Sequence, residues 1–265
     1  TSLVPTTKPD TGFEIANAAI VAALRAAGHR VSVFGFLRKG DAPAEDPDRQ
    51  ALAEITIENA AASPTMLAGW LLAALKSGLP LAAAKLLKPA RLLPEALRAH
   101  GPFDAIILNS VMVPGACPEI MDLAPCLLVE HNVEHLSAGE NAAHARNPLM
   151  RWLFSREART LKTLEHAVAA RARFVWFLAE EDRQRLGLDV SERSAILPLV
   201  STTTLAPPAR AAEQGYDVGL IGTWTWGPNR IGLEWFLNEV APRLPGDVSV
   251  GVAGRIPEGL APPRR

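Results

Sequence analysis

Residues 104–109 (DAIILN) and 125–130 (PCLLVE) are two short, continuous apolar runs, and they decide the fold class. Such runs are typical of parallel strands that are covered by helices on both faces. Further strand candidates lie at residues 2–6, 30–37, 173–177 and 194–197, and helical stretches lie among them at residues 13–27, 65–100, 148–170 and 180–186. This alternation predicts an α/β fold, in which a Rossmann-like parallel sheet carries helices on both faces.

Less regular segments complete this first domain, which we expect to span residues 1–199. Residues 39–50 are polar and predict a loop, and residues 53–57 are another strand candidate. Gly28 is a stop signal for the first helix. One face of that helix carries the small and apolar residues Ile15, Ala19, Ala22 and Ala26.

The strand and helix pattern restarts after residues 200–216, whose Thr, Pro and Ala content indicates a linker. A strand, a helix and a strand are predicted at residues 217–223, 233–244 and 248–253. Two strands and one helix cannot cover a sheet on both faces. We therefore expect residues 217–265 to be the beginning of a second Rossmann-like domain.

Composition excludes some classes of partner. The net charge is −1 over 265 residues, which argues against nucleic-acid binding through a basic surface. Cys117 and Cys126 stand in apolar surroundings, which indicates buried thiols in a reducing compartment rather than a disulfide or a metal pair. These features predict a cytoplasmic protein.

The helical stretch at residues 65–98 combines Trp70 and many leucines with basic residues. One interpretation is a face that contacts anionic lipid, which would place the protein peripherally at the inner face of a membrane. The other, which we favour, is ordinary buried helices with solvated cations. The basic residues concerned are Lys76, Lys85, Lys88 and Arg91.

The candidate site lies in the loops after the strands, because parallel α/β sheets bind ligands beyond the carboxyl ends of their strands. Residues 5–14 (PTTKPDTGFE) bring Asp10 and Gly12 to the start of the first helix. Glycine lets a ligand approach the backbone, and the free N–H groups of a helix start bind anions or sugar hydroxyls. The alternative is a plain turn in which Asp10 or Thr11 caps the helix. The GxGxxG pattern of dinucleotide-dependent oxidoreductases is absent.

A second loop, residues 130–135 (EHNVEH), directly follows an apolar strand candidate, and Asn109 ends the strand candidate before it. His131, beside Asn132, could hydrogen-bond a sugar hydroxyl or a phosphate. The four-residue spacing of His131 and His135 also allows a metal pair, although the HExxH order is absent. The third alternative is a structural histidine.

A third loop, residues 222–230 (GTWTWGPNR), begins the second domain and contains Trp226, Asn229 and Arg230. Tryptophan faces stack on sugars or bases, and arginine pairs with phosphate. It is equally open that Trp224 and Trp226 pack between the domains.

Together these segments resemble glycosyltransferase family four, the group 1 retaining enzymes of the two-domain GT-B type. Residues 11–34 (TGFEIANAAIVAALRAAGHRVSVF) are similar to the family's glycine loop, first helix and Gly-His-x-Val step. Residues 127–135 (LLVEHNVEH) are similar to its strand and His-Asp or His-Asn motif, and residues 157–186 to a later helix, strand and acidic segment. Residues 218–255 (VGLIGTWTWGPNRIGLEWFLNEVAPRLPGDVSVGVAGR) give the most specific match, to the opening of the donor domain in one subgroup.

The resemblance implies that a sugar moves from a nucleotide-sugar donor to a glycan, lipid-linked or small-molecule acceptor between two Rossmann-like domains. His131 would be the catalytic residue that contacts a hydroxyl of the transferred sugar, and Gly12 would lie near the donor diphosphate. Donor phosphate serves as the internal base in this family, so no metal or other cofactor is expected. Positive groups stabilise the departing diphosphate, and Asn229 and Arg230 are the candidates for this role.

Two expectations qualify this assignment. The family's later donor-domain glutamates would lie beyond Arg265, so we expect the chain to be an incomplete part of a longer enzyme. The alternative function is a non-catalytic module of the same fold that binds a carbohydrate or a protein.

Overall fold

The chain forms two compact units, Thr1–Thr202 and Thr203–Arg265. The computed structural model describes residues 1–4, 12–42, 45–198, 215–225 and 227–256. Asp10 and Trp226 lie outside these residues, as does most of the predicted linker at residues 200–216.

Strands and helices alternate through the first unit. In chain order they are α1 (Gly12–Ala26), β1 (Val33–Arg38), β2 (Arg49–Ile55), α2 (Pro64–Ser77), α3 (Leu81–Leu86), α4 (Leu93–His100), β3 (Ile106–Leu108), α5 (Met112–Ala116), β4 (Cys126–Glu130), α6 (Glu134–His144), α7 (Pro148–Arg171), β5 (Phe174–Phe177), α8 (Glu180–Arg185) and β6 (Ser194–Ile196). The second unit contains β7 (Val218–Thr223), α9 (Gly227–Trp235) and β8 (Val250–Arg255), with a π-helical turn (Phe236–Val240) after α9.

The main sheet of the first unit has the strand order β3-β4-β5-β6, and all its neighbours are parallel. Leu128 and Phe177, in its two central strands, are fully buried. Helices that connect the strands cover this core, which confirms the prediction of an α/β fold with a parallel sheet and flanking helices. The carboxyl ends of β3, β4 and β5 consequently lie at one edge of the sheet, where a ligand is expected.

A smaller parallel sheet precedes the main one. Strands β1 and β2 pair from Val33 with Arg49 onward, and Leu3 forms a parallel bridge with Phe36. The prediction of a loop over residues 39–50 is wrong at its end, because β2 already begins at Arg49. The strand begins with the polar residues Arg49 and Gln50, which pair with β1 through the backbone, while Leu52, Ala53 and Ile55 pack against the core.

The apolar face predicted for α1 is wrong. Ile15 is 55% exposed, whereas Glu14 and Asn17 are almost completely buried. The helix turns its polar residues inward because they have partners there: Arg38 forms an ion pair with Glu14 at 3.2 Å, and Asn17 hydrogen-bonds Asn109. Partners of this kind remove the cost of burying a polar group.

The helices of residues 65–98 only partly follow the favoured interpretation. Inner residues of α3 and α4, such as Leu86 and Leu93, are buried, but in α2 only Ala74 is. Lys85 is not simply solvated, because its ammonium donates to the Ile57 carbonyl oxygen at 2.6 Å and lies over the Trp70 ring. The exposed large apolar residues of α2 are Met66, Leu67, Leu71, Leu72 and Leu75.

Both cysteines are free and buried, as predicted. Burial raises the pKa of the Cys117 thiol to about 12 and raises that of Cys126 as well, so both remain protonated near neutral pH. Of the helices in the described parts of the chain, none is long and apolar enough to cross a membrane.

Candidate functional site

His131 directly follows β4 at the carboxyl edge of the main sheet. Its Nε2 atom lies 2.5 Å from Oδ1 of Asn109, the residue that follows β3. The imidazole also packs against Phe13 in the first turn of α1, with ring centroids 4.9 Å apart. Because β3 and β4 are parallel neighbours, their carboxyl ends bring His131 and Asn109 together.

A chain of hydrogen bonds extends from His131 into the interior. The Asn109 amide nitrogen donates to Oδ1 of Asn17, and the Asn17 amide nitrogen donates to the Thr1 hydroxyl oxygen at 3.5 Å. The Thr1 hydroxyl in turn donates to the Leu3 carbonyl oxygen at 2.9 Å. Every link thus has one donor and one acceptor, so the Asn109 Oδ1 atom is left to accept a hydrogen bond.

The direction of these hydrogen bonds determines which ring nitrogen of His131 carries the proton. Since Asn109 Oδ1 can only accept, Nε2 must carry the ring proton and donate. In the neutral ring Nδ1 then has a free lone pair, and no hydrogen-bonding group of the described residues occupies it. Asn109 uses its amide on His131 and Asn17 and therefore acts as a positioning residue.

Burial also keeps the imidazole uncharged. Desolvation of the partly buried ring lowers the pKa of His131 from 6.5 to about 4. At neutral pH the ring is therefore neutral and offers a hydrogen-bond acceptor without a positive charge. Such a group suits a hydroxyl better than a phosphate, because a phosphate dianion has no proton to donate.

Backbone strain follows Asn109 directly. Ser110 has a φ of 127°, a region that residues with a side chain rarely adopt. Its hydroxyl oxygen accepts a hydrogen bond from the Met112 N–H at 3.3 Å, at the start of α5. Strain of this kind costs about 1–3 kcal/mol and tends to occur at functional sites.

The remaining residues predicted near this edge differ in position. Gly12 is exposed at the start of α1, and a Cβ atom placed there would meet no atom within 4 Å, so the backbone is open to a ligand. Asn132 is exposed, and its side chain hydrogen-bonds Glu134. The structure therefore brings Asn109 to His131, but it does not bring Asn132 into the hydrogen-bonded chain.

Carboxylates gather around the other side of β4, since successive side chains of an extended chain point to opposite faces. Glu165 of α7 is fully buried and accepts hydrogen bonds from the backbone N–H and the ring Nδ1 of His135. Glu130 is also buried, and its Oε2 atom has no hydrogen-bond partner in the described part of the chain. Burial and the charges of Glu165 and Glu134 raise the pKa of Glu130 well above its ordinary value, which favours its protonated form.

This arrangement bears on the metal alternative for the two histidines. His131 hydrogen-bonds Asn109, and His135 hydrogen-bonds Glu165. Within the described ranges, no three or more His, Cys, Asp or Glu residues are grouped so that they could hold a metal ion. The geometry favours a hydrogen-bonding role for His131.

The predicted residues of the second unit form a separate group. Trp224 is buried, and its indole N–H donates to the Ala253 carbonyl oxygen at 2.9 Å, so its role is to hold β7 and β8 together. Asn229 donates to the Thr223 carbonyl oxygen at 3.2 Å. Arg230 is half exposed and lies 3.7 Å from Glu234 in the next turn of α9.

Sequence reasoning missed two buried polar residues that shape the site. Asn17 stands four residues after Phe13 and four before Val21, and it interrupts an apolar helical stripe. Glu165 interrupts the buried stripe of Leu161 and Val168 in the same way. A lone polar residue within an apolar stripe is therefore the signal that could have identified both.

The chain was also compared with known proteins. Neither a scan against protein-family models nor a search of curated proteins finds a match. The geometry around His131 and the motif resemblance are thus the basis for a functional assignment.

Proposed function

We propose that the chain belongs to a retaining glycosyltransferase of the GT-B type, related to glycosyltransferase family four. The enzyme would move a sugar from a nucleotide-sugar donor to a glycan, lipid-linked or small-molecule acceptor. The observation that carries the proposal is the neutral His131 at the carboxyl edge of the main sheet, whose Nδ1 atom accepts no hydrogen bond from the described residues.

The chemistry of a sugar fits this group. Each sugar hydroxyl carries a proton that Nδ1 of His131 can accept in a hydrogen bond, and the Asn109 contact fixes the direction of that lone pair. The Phe13 ring beside the imidazole supplies an apolar surface for the sugar's C–H groups. A fixed acceptor of this kind orients a substrate before reaction and thereby lowers the entropic cost of reaching the transition state.

The donor diphosphate needs other partners. Backbone N–H groups at the start of α1, next to Gly12, would face the phosphate oxygens, since a helix start favours anions. In the second unit, Asn229 and Arg230 are our candidates for stabilising the departing diphosphate by charge and hydrogen bonding. The proposed mechanism needs no metal, and the buried free thiols suit a reaction in the cytoplasm.

The test is release of nucleoside diphosphate from a panel of nucleotide sugars by the full-length enzyme. The His131→Ala substitution should lower turnover about 100-fold at saturating donor, because a rate loss of this size is typical when one oriented group is removed from an active site. His144→Ala, which removes an exposed histidine of α6, is the matched control and should leave turnover unchanged.

Two outcomes would count against the proposal. Unchanged turnover in His131→Ala would remove His131 from the site. Carbohydrate binding that depends on His131, without turnover of any donor, would favour the alternative of a non-catalytic carbohydrate-binding module.

A further inference from the structure

Helix α6 begins without a capping side chain of its own. Val133, the residue before its first turn, makes no side-chain hydrogen bond to the N–H groups there. These N–H groups have no partner within the helix, and a serine, threonine, asparagine or aspartate at this position would normally accept from one of them. The start of α6 therefore needs an acceptor from another part of the chain.

Glu165 of α7 supplies that acceptor. Its Oε1 atom accepts from the His135 backbone N–H at 3.1 Å, and its Oε2 atom accepts from the His135 ring Nδ1. Glu165 is fully buried, and α6 and α7 pack against each other. A carboxylate at a helix start is also favoured by the helix dipole. One carboxylate from α7 thus holds both the backbone and the side chain of His135.

The Glu165–His135 pair lies close in the chain to the candidate catalytic histidine. Only residues 131–133 connect the end of β4 with the start of α6. The first end of this connection is fixed because β4 pairs with β3 and β5, and Val133 at the other end is buried in the core. A connection of three residues has little conformational freedom once both of its ends are fixed. The position of α6 therefore helps to set the direction in which the His131 imidazole points.

We propose that Glu165 is a positioning residue, which fixes residues 131–133 through His135 and so holds the His131 imidazole against Asn109. Glu165 acts from the far side of β4 and has no contact with the substrate. The alternative is that Glu165 only stabilises α6. The effect on turnover rests on the proposed sugar transfer, whereas the effect on the His131 ring does not.

Two pairs of variants separate these roles. Glu165→Gln keeps the size of the side chain but replaces one acceptor oxygen with a donor group, so one of the two hydrogen bonds is lost. Glu140→Gln makes the same change of charge at an exposed residue of α6 and is its control. His135→Leu removes the ring donor, whereas His135→Asn places an amide nitrogen near the former Nδ1 position and can still donate to Glu165. Thermal melting would establish which variants are folded, and the His135 pair carries the test if Glu165→Gln is not.

The proton on Nε2 of His131 gives the first measurement. In histidine-labelled protein, its exchange with water reports how often the hydrogen bond to Asn109 opens. Glu165→Gln and His135→Leu should speed this exchange about tenfold or more, because a hydrogen bond to a charged group contributes about that factor to an opening equilibrium. His135→Asn and Glu140→Gln should exchange like the wild type.

Turnover by the full-length enzyme gives the second measurement. The donor is the nucleotide sugar from which the wild type releases diphosphate fastest. Glu165→Gln and His135→Leu should lower kcat about tenfold, because a loosened imidazole orients the sugar less well. The KM for the donor should change little, since the diphosphate binds through other groups, and His135→Asn should restore most of kcat.

Two results would overturn the proposal. The first is unchanged exchange of the His131 ring proton in Glu165→Gln and His135→Leu, which would leave Glu165 with a structural role alone. The second is an equal effect of His135→Leu and His135→Asn, which would show that the hydrogen bond to Glu165 does not hold the ring. Absence of turnover in the wild type with every donor would instead count against sugar transfer, and ring-proton exchange would still decide the role of Glu165.

Discussion

Replacement of His131 by glutamine should change how the stability of the first unit depends on pH. Glutamine can donate to Asn109 Oδ1 as His131 Nε2 does, but it cannot take up a proton. The substitution therefore isolates the titration of the imidazole from its hydrogen bond.

The magnitude follows from the lowered pKa. The pKa of His131 is about 4 in the folded protein and 6.5 in an exposed ring. As the pH falls through 6.5, the unfolded chain binds a proton first, so the free energy of unfolding decreases until the folded protein is protonated near pH 4. A shift of this size corresponds to about 3 kcal/mol. Because the ring is only partly buried, solvent screening reduces this contribution, and we expect a loss of about 1–3 kcal/mol.

Urea unfolding followed by circular dichroism, at a series of pH values between about 4 and 8, measures this effect. Carboxylates titrate in the same range, so the quantity to compare is wild type minus His131→Gln at each pH. That difference should fall by the predicted amount on acidification. A flat difference for His131→Gln would refute the argument that burial keeps the imidazole neutral.

Three further substitutions test neighbouring parts of the structure. Glu130→Gln should raise the free energy of unfolding at neutral pH, because the raised pKa of Glu130 makes its ionisation costly in the folded protein. This gain should vanish below about pH 4.5, where the carboxyl group is protonated in both the folded and the unfolded protein. Urea unfolding at the two pH values would measure the difference. Ser110→Gly should be more stable than Ser110→Ala by about 1 kcal/mol in thermal unfolding, because both variants lose the hydroxyl bond to Met112 and only glycine adopts the φ of 127° without strain; equal or lower stability of Ser110→Gly would contradict the strain. Trp224→Phe should destabilise the pairing of β7 with β8 by about 1 kcal/mol or more, because the indole hydrogen bond is lost. Faster amide hydrogen exchange in these two strands would measure this effect. Trp235→Phe, at a residue that is 60% exposed, is the control and should have little effect.

The sequence predicted the fold class because buried parallel strands have a strong local signature. Continuous apolar runs such as residues 104–109 are found where β3 and its neighbours lie, although β3 itself is only Ile106–Leu108. The misplaced elements lack that signature. The start of strand β2, at Arg49 and Gln50, is set by backbone pairing with β1, and apolar residues begin only at Ala51. Helix α9 begins at Gly227 rather than at residue 233, because a first helical turn needs no intrahelical donors and accepts a Gly-Pro start.

The site was predictable in part for a related reason. His131 and Asn109 end neighbouring strands, so topology alone brings them together. Asn17 comes from α1 and depends on how that helix rotates about its axis. The periodicity of small residues gave that rotation wrongly, because an alanine methyl group removes little apolar area from water and so constrains the rotation weakly. Long-range partners of buried polar groups decide such a rotation, and they cannot be inferred from local pattern.

The proposal depends most directly on the protonation of one ring, that of His131. Long-range proton–nitrogen NMR correlations on histidine-labelled protein distinguish protonated from unprotonated ring nitrogens, and His131→Gln assigns the signals. We predict a protonated Nε2 and an unprotonated Nδ1 at neutral pH, a state that should persist on acidification to about pH 5. A protonated Nδ1 at neutral pH, alone or together with Nε2, would contradict the assignment of His131 as a neutral acceptor for a sugar hydroxyl.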